Sequence, residues 1–258
     1  MHTIEPILTF TDNYVWMVGS SDSDAVAIID PGEADPVLRI LSDSHLRVAA
    51  ILLTHHHEDH VGGVAEILRE HPAPVFGPGR ERIPTVDHPV AGGDTVMAPE
   101  LDLEFEVIDV PGHTAGHIAY LNPGRAFVGD TLFAGGCGRI FEGTPGQMHA
   151  SLSLLAALPP ETVVYCAHEY TAANLRFALE VEPGNETLAK RLEDARTARS
   201  EGRPTVPSVL AEELETNPFL RCSEPEIKTA AEHRVGRSLD TDTDVFAVVR
   251  RWKDGWRG

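Results

Sequence analysis

The sequence predicts an α/β domain followed by a small all-helical one, and three observations carry that reading. The first two thirds alternate short runs rich in Val, Ile and Phe with helical patterns, the runs closing at Gly, Pro or Asp. After about residue 170 the strand signal nearly vanishes and helical periodicity takes over. At 258 residues the chain has room for one large domain and an appendage. We divide it into domains 1–169 and 170–258.

Strands are expected at 14–18, 25–29, 48–53, 103–110, 125–128 and 162–166, where β-branched and aromatic residues run up to a turn signal. The run 48–53 is apolar throughout, the pattern of a buried strand. Helices are expected between them at 36–44, 61–71 and 147–158. Beyond the boundary come helices at 172–181, 186–199, 207–215, 224–233 and 243–252. In the second of these Leu188, Leu192, Ala195 and Ala198 share a face, and Gly202 stops it. Ser223 and Glu226 stand in capping-box spacing at the start of the fourth.

Composition narrows the function classes. Hydrophobic residues at 42% and charged residues at 24% exclude disorder, collagen and coiled coil as whole-chain readings. Forty acids against 21 basic residues give a net charge of -19, which repels a phosphate backbone, so no nucleic-acid partner is expected. Three cysteines, Cys137, Cys166 and Cys222, make no disulfide framework and suit a reducing compartment. The first residues lack a basic region followed by an apolar core, and the longest apolar run is far short of a membrane span. The expectation is a cytoplasmic protein with no membrane partner.

The chemistry concentrates in Thr54-His55-His56-His57-Glu58-Asp59-His60, directly after the buried strand and before Gly62-Gly63. Residues this polar are poor core material, so the cluster is either hydrated or holds a cation. In extended backbone residues two apart point the same way, so His55 and His57 can share one metal ion. Asp59 and His60 lie where the chain turns into a helix and can reach a second. His113, Asp130 and His168 each stand just after a predicted strand, at the edge where functional loops gather in layered α/β folds. Imidazole and carboxylate donors without thiolate suit zinc, iron or manganese alike. Near the C-terminus, Arg250, Arg251, Lys253 and Arg257 face only Asp254, a local basic exception that would suit a carboxylate-bearing substrate.

The T-H-x-H-x-D-H pattern, with the later His, Asp and His, resembles the metallo-β-lactamase superfamily. That resemblance implies a four-layer α/β/β/α sandwich with a dinuclear metal site. Phe133-Ala134-Gly135-Gly136-Cys137-Gly138-Arg139, Phe141-Glu142-Gly143-Thr144, His168-Glu169-Tyr170-Thr171 and Asn217-Pro218-Phe219-Leu220-Arg221 are similar to stretches of the glyoxalase II (hydroxyacylglutathione hydrolase) family. So is the terminal Arg250-Arg251-Trp252-Lys253-Asp254, and the likeness runs through the helical domain.

The resemblance implies that His55, His57 and His113 hold one ion, Asp59, His60 and His168 the second, and that Asp130 bridges both. Two divalent ions are expected, zinc first, with iron or manganese as alternatives. Asp59 and Asp130 are the expected catalytic carboxylates. Arg139, Phe141, Tyr170, Arg250 and Lys253 are the expected glutathione contacts. Phe141 stands where some family members have Tyr, and Ala167 where Gly is common. The implied reaction is hydrolysis of S-D-lactoylglutathione to glutathione and D-lactate, by a monomer whose partner is a small-molecule glutathione thioester. A one-iron dioxygenase of the same superfamily fits less well, given the Asp59, His60 and His168 set. A non-catalytic zinc module would be richer in cysteine.

Overall fold

Strand 47–52 is apolar from Val48 onward because residues on both of its faces are buried. The structure is a computed structural model and describes residues 2–258. Backbone contacts divide it into two units, one of 2–109 with Thr114–Gly129, the other of Val110–His113 with Asp130–Gly258.

The first unit is built on a mixed sheet of six strands, β1 (His2–Thr9), β2 (Asn13–Ser20), β3 (Ala25–Ile29), β4 (Arg47–Leu52), β5 (Val75–Pro78) and β6 (His88–Val90), in that order. β1 to β3 pair antiparallel and β3 to β6 parallel. The parallel pairs need crossovers, and the helices α1 (Ala34–Asp43), α2 (Glu58–Val61) and α3 (Val64–Glu70) lie in two of them. Val15, Met17, Val26, Ile28, Ile51 and Leu53 pack with Val37 and Leu41 of α1 and Val64 and Ile67 of α3 in one buried cluster. The alternate residues Trp16, Val18, Ala27, Ile29, Ala50 and Leu52 are buried too.

An antiparallel meander completes this unit: β7 (Thr95–Ala98), β8 (Leu103–Asp109), β9 (Ile118–Asn122) and β10 (Arg125–Gly129). β8 shows the period-two alternation of a one-sided strand, with Leu103, Phe105 and Val107 buried and Glu104 and Glu106 exposed. The buried Tyr120 of β9 donates its hydroxyl proton to the Leu53 carbonyl at 2.9 Å and so ties the meander to the end of β4.

The second unit holds a two-residue hairpin, β11 (Leu132–Phe133) with β12 (Gly136–Cys137), then α4 (Pro145–Ala156), β13 (Val163–Cys166), α5 (Thr171–Val181), α6 (Glu186–Ser200), β14 (Ser208–Val209), α7 (Leu210–Thr216), α8 (Pro225–Val235) and α9 (Asp242–Gly255). Thr144 with Gln147 and Thr241 with Asp244 form capping boxes on α4 and α9, and Asn185 caps α6. Phe177, Phe219, Phe246 and Trp252 interlock as the aromatic core of the helices.

All six expected strands are present. So are the expected helices, with shifted ends. The pattern at 61–71 is two helices, because Gly62 and Gly63 let the chain approach its neighbours: a Cβ at Gly63 would lie 2.5 Å from the Glu33 carbonyl carbon. Segment 207–215 begins with the strand β14 rather than with helix. The expected capping box at Ser223 is absent: Pro225 opens α8, the N-cap is Glu224, and Glu226 accepts from the Gly184 amide at 3.0 Å instead. The strands β1, β5, β6, β7, β9, β11, β12 and β14 are additional to the expectation. Among the described residues, no helix is long and apolar enough to cross a membrane.

Candidate metal centre

In the first unit the motif 54–60 bends at Thr54 and His55 rather than continuing extended, is extended at the N-cap His57 and turns helical at Glu58. The part before the helix brings the two expected donors together: His55 Nε2 and His57 Nδ1 are 3.1 Å apart. His56 points elsewhere and pairs through Nδ1 with Glu81 at 2.8 Å. The helical part brings Asp59 Oδ2 to 3.7 Å from His60 Nε2. His55 and His60 are buried, at 0% and 1% exposure, whereas the Asp59 side chain is 40% exposed.

A residue the sequence reading passed over orders this half. Asp30 follows β3, and β3 and β4 pair in parallel with Ile29 beside Leu52, so Asp30 and Thr54 leave the sheet at the same edge. The buried Asp30 carboxylate accepts from the Thr54 amide at 2.8 Å, from the Thr54 hydroxyl at 2.7 Å and from His60 Nδ1 at 3.0 Å. A carboxylate only accepts, so the His60 proton sits on Nδ1 and leaves Nε2 as the donor to a metal. The Thr54 hydroxyl has spent its proton on Asp30 and therefore accepts from His55 Nδ1, 3.1 Å away, which leaves His55 Nε2 as a lone pair. Asn13 donates to Asp59 Oδ2 at 3.0 Å. A Cβ on Gly32 would lie 1.9 Å from the Asp59 carbonyl oxygen, so only glycine lets the 30–32 turn pack under the motif. The signal for Asp30 was present: it is an acid directly after a predicted strand, the rule that found Asp130.

The second unit carries the other expected ligands in the same paired form. His113 Nε2 lies 3.3 Å from Asp130 Oδ2, and His168 Nε2 lies 3.3 Å from Asp130 Oδ1. One carboxylate thus offers a different oxygen beside each imidazole. His113 Nδ1 donates to the Arg139 carbonyl at 2.7 Å, which again leaves Nε2 as the donor. The Tyr170 ring stacks on His168 at 4.7 Å and 5°.

The donor set fits divalent metal. Two nitrogens on one tetrahedral zinc, with bonds of about 2.0–2.1 Å, stand roughly 3.3 Å apart. Three of the four pairs lie at 3.1 to 3.3 Å. The tautomers of His55, His60 and His113 are already fixed by the hydrogen bonds behind them.

The expected substrate contacts all lie in the second unit. Phe141 is exposed, and its ring lies edge-on to His113 at 5.2 Å. The exposed Arg139 side chain has its guanidinium carbon 6.0 Å from the Phe141 ring and its Nε 3.5 Å from Asp254. Arg250 is placed differently from a surface cation. It is 6% exposed, donates to the Cys137 carbonyl at 2.8 Å and to Asp254 at 3.1 Å, and lies over the Phe219 ring at 5.0 Å. Lys253 lies over Phe177 and Trp256 at 5.0 and 4.7 Å and donates to the Ala173 carbonyl at 3.2 Å. Burial, with Arg250 and Arg176 nearby, lowers its ammonium to about 8. Cys137 is no nucleophile: burial raises its thiol above the ordinary range.

The outer hydrogen bonds generate a test. Asp30→Asn keeps the shape of the side chain but removes the charge and one acceptor. Zinc retention against a competing chelator should weaken about 10- to 100-fold, with the helical circular dichroism unchanged; retention equal to wild type would refute the role given to Asp30.

Comparison with known proteins agrees with this geometry. Residues 8–168 match the Metallo-beta-lactamase superfamily, and residues 169–256 match the Hydroxyacylglutathione hydrolase C-terminus. The chain is 56% identical over 254 residues to the Hydroxyacylglutathione hydrolase of Halorhodospira halophila, covering 98% of this chain and 99% of the relative. Among solved structures, ETHE1 from Myxococcus xanthus is 25% identical with a TM-score of 0.67, over 97% of this chain and 98% of the other. TTHA1623 in a di-iron-bound form is 27% identical with a TM-score of 0.59, over 83% of this chain and 98% of the other. The chain therefore has the metallo-β-lactamase fold with a C-terminal helical domain, and it belongs to the hydroxyacylglutathione hydrolase family of that superfamily.

Proposed function

We propose that this protein hydrolyses S-D-lactoylglutathione, and related S-2-hydroxyacylglutathiones, to glutathione and the 2-hydroxy acid. The observation that carries the reading is the set of four donor pairs, two in each unit, with imidazole tautomers fixed for metal binding. The full-length likeness to relatives named hydroxyacylglutathione hydrolase supports the substrate.

In this reading His55, His57 and His113 would hold one divalent ion, Asp59, His60 and His168 the other, and Asp130 would be shared between them. Zinc is the proposed metal; iron or manganese would satisfy the same donors, and the 27%-identical relative was solved with iron. When bound, the ions supply hydroxide near neutral pH and polarise the thioester carbonyl. Asp59, held by Asn13, orients the attacking oxygen. The water oxygen adds to the carbonyl carbon and its protons go to solvent, the carbon–sulfur bond breaks, and the products leave as the 2-hydroxy carboxylate and the glutathione thiolate, which needs no protonating side chain.

Domain 1–169 supplies the chemistry and domain 170–258 most of the grip on glutathione, a division supported by the meeting of the two family matches at 168 and 169. Arg139 and Lys253 meet the carboxylates of glutathione, with Arg250 behind them, and Phe141 and Tyr170 flank its backbone. The enzyme is proposed to work as a cytoplasmic monomer, in keeping with buried cysteines that build no disulfide framework.

The direct test is loss of the thioester on adding purified protein loaded with zinc or manganese. Turnover should be rapid, vanish with a chelator and return with metal, and Asp130→Ala should lose metal and activity together. Metal-loaded protein without turnover would refute the reading.

Lys253 adds a pH signature. With its pKa lowered to about 8, the ammonium is charged below that pH and attracts a carboxylate; above it the amine is neutral and the attraction is lost. KM should therefore rise as pH passes through about 8, and Lys253→Arg, which stays charged, should flatten the rise. A wild-type KM independent of pH from 7 to 9.5, range chosen about that value, would remove Lys253 from the substrate contacts.

A further inference from the structure

The loop that carries Arg139 is held by side chains from the helices at five consecutive residues. Asn217 Nδ2 donates to the Phe133 carbonyl at 3.2 Å and to the Gly136 carbonyl at 2.9 Å. Asn174 donates to the Ala134 carbonyl at 3.2 Å, Glu213 Oε2 accepts from the Gly135 amide at 2.8 Å, and Arg250 donates to the Cys137 carbonyl at 2.8 Å. The centre of this clamp is fully buried: Glu213, Thr216 and Asn217 are each 0% exposed. Glu213 is paired with Arg191 at 2.5 Å, Arg191 donates to Thr216 at 2.6 Å, and Asn217 Nδ2 reaches Glu213 Oε2 at 3.1 Å.

A buried ion pair of this kind gains little net stability over apolar packing. What it supplies is direction, because Glu213 and Asn217 at its centre hold the backbone at Phe133, Gly135 and Gly136. The loop is shaped to receive it. Gly135 sits at φ +66°, where a Cβ would also lie 2.6 Å from Leu175, and a Cβ at Gly136 would lie 2.5 Å from Asn174. Only Cys137, itself held by Arg250, and Gly138, packed where a Cβ would lie 1.9 Å from the Asp130 carbonyl oxygen, separate the clamp from Arg139. Movement at 133–136 therefore passes on to Arg139.

We propose that Glu213 and Asn217 are positioning residues for thioester binding, which fix the backbone of 133–136 and through it the place of Arg139. The proposal rests on Arg139 as a glutathione contact. The clamp also bears on one metal ligand, because His113 Nδ1 donates to the Arg139 carbonyl at 2.7 Å, while the Phe141 amide donates to the His113 carbonyl at 3.1 Å. Loss of the clamp should thus be read in affinity, with turnover compared per bound metal.

The test compares metal-loaded wild type, Asn217→Ala and the control Ile227→Ala, a buried α8 residue outside the clamp. Asn217→Ala should raise KM for S-D-lactoylglutathione about tenfold, with kcat per metal-loaded enzyme within about twofold. Hydrogen exchange at the Gly135 amide should speed up by at least about tenfold. Ile227→Ala should lower the melting temperature but leave KM and that amide alone. Should Asn217→Ala fail to fold, Glu213→Gln, which weakens the acceptor for Gly135, carries the same measurements. Faster exchange with a wild-type KM would overturn the proposal, and so would an equal KM rise in Ile227→Ala. A wild type that hydrolyses no thioester would overturn the functional reading itself, and the proposal with it.

Discussion

The buried carboxylate of Asp30 is the constraint on which the candidate metal donors of the first unit depend. A charge at 4% exposure survives only if its oxygens are satisfied. Here they are satisfied by the amide and hydroxyl of Thr54 and by His60 Nδ1, so satisfying the charge and orienting the imidazoles are one event. The proton positions run outward from Asp30 through Thr54 to His55 and directly to His60. The parallel pairing of β3 with β4 makes this possible, because it brings Asp30 and Thr54 out at the same edge.

The second unit reaches the same end through a backbone carbonyl rather than a buried carboxylate. The Arg139 carbonyl fixes His113, and Asp130 sets one oxygen against each of two imidazoles. The segment providing that carbonyl is itself held by Glu213, Asn217, Asn174 and Arg250. The helical segments therefore contribute more than a binding surface: they determine where the loop after Asp130 runs.

Much of this was legible in the sequence, for a physical reason. Ligands for a metal must be polar and must leave the sheet at one edge, so they appear as His and Asp directly after apolar runs. That pattern exposed His55 to His60, His113, Asp130 and His168. Asp30 obeys it too, but a lone acid before Pro31-Gly32 also has the form of a turn. The strands at 75–78 and 88–90 contain Pro or Gly and look like loop; pairing with parallel neighbours makes them strand. β1 carries Pro6 and a mostly exposed pattern, and it is legible only beside β2. The hairpin 132–137 rests on side chains some 40 to 110 residues away in sequence, distances no local pattern records. Arg250 reads as a surface cation in a basic run, yet one face of its helix is buried and its guanidinium becomes an internal donor.

The central claim is that the paired donors hold two ions and that both are needed for thioester hydrolysis. It is tested most directly by titrating metal-free protein with zinc while following bound metal and turnover of S-D-lactoylglutathione in the same samples. The account predicts saturation at two ions per chain, with turnover completed only as the second site fills. Full turnover at one ion per chain, or turnover in the metal-free protein, would contradict it.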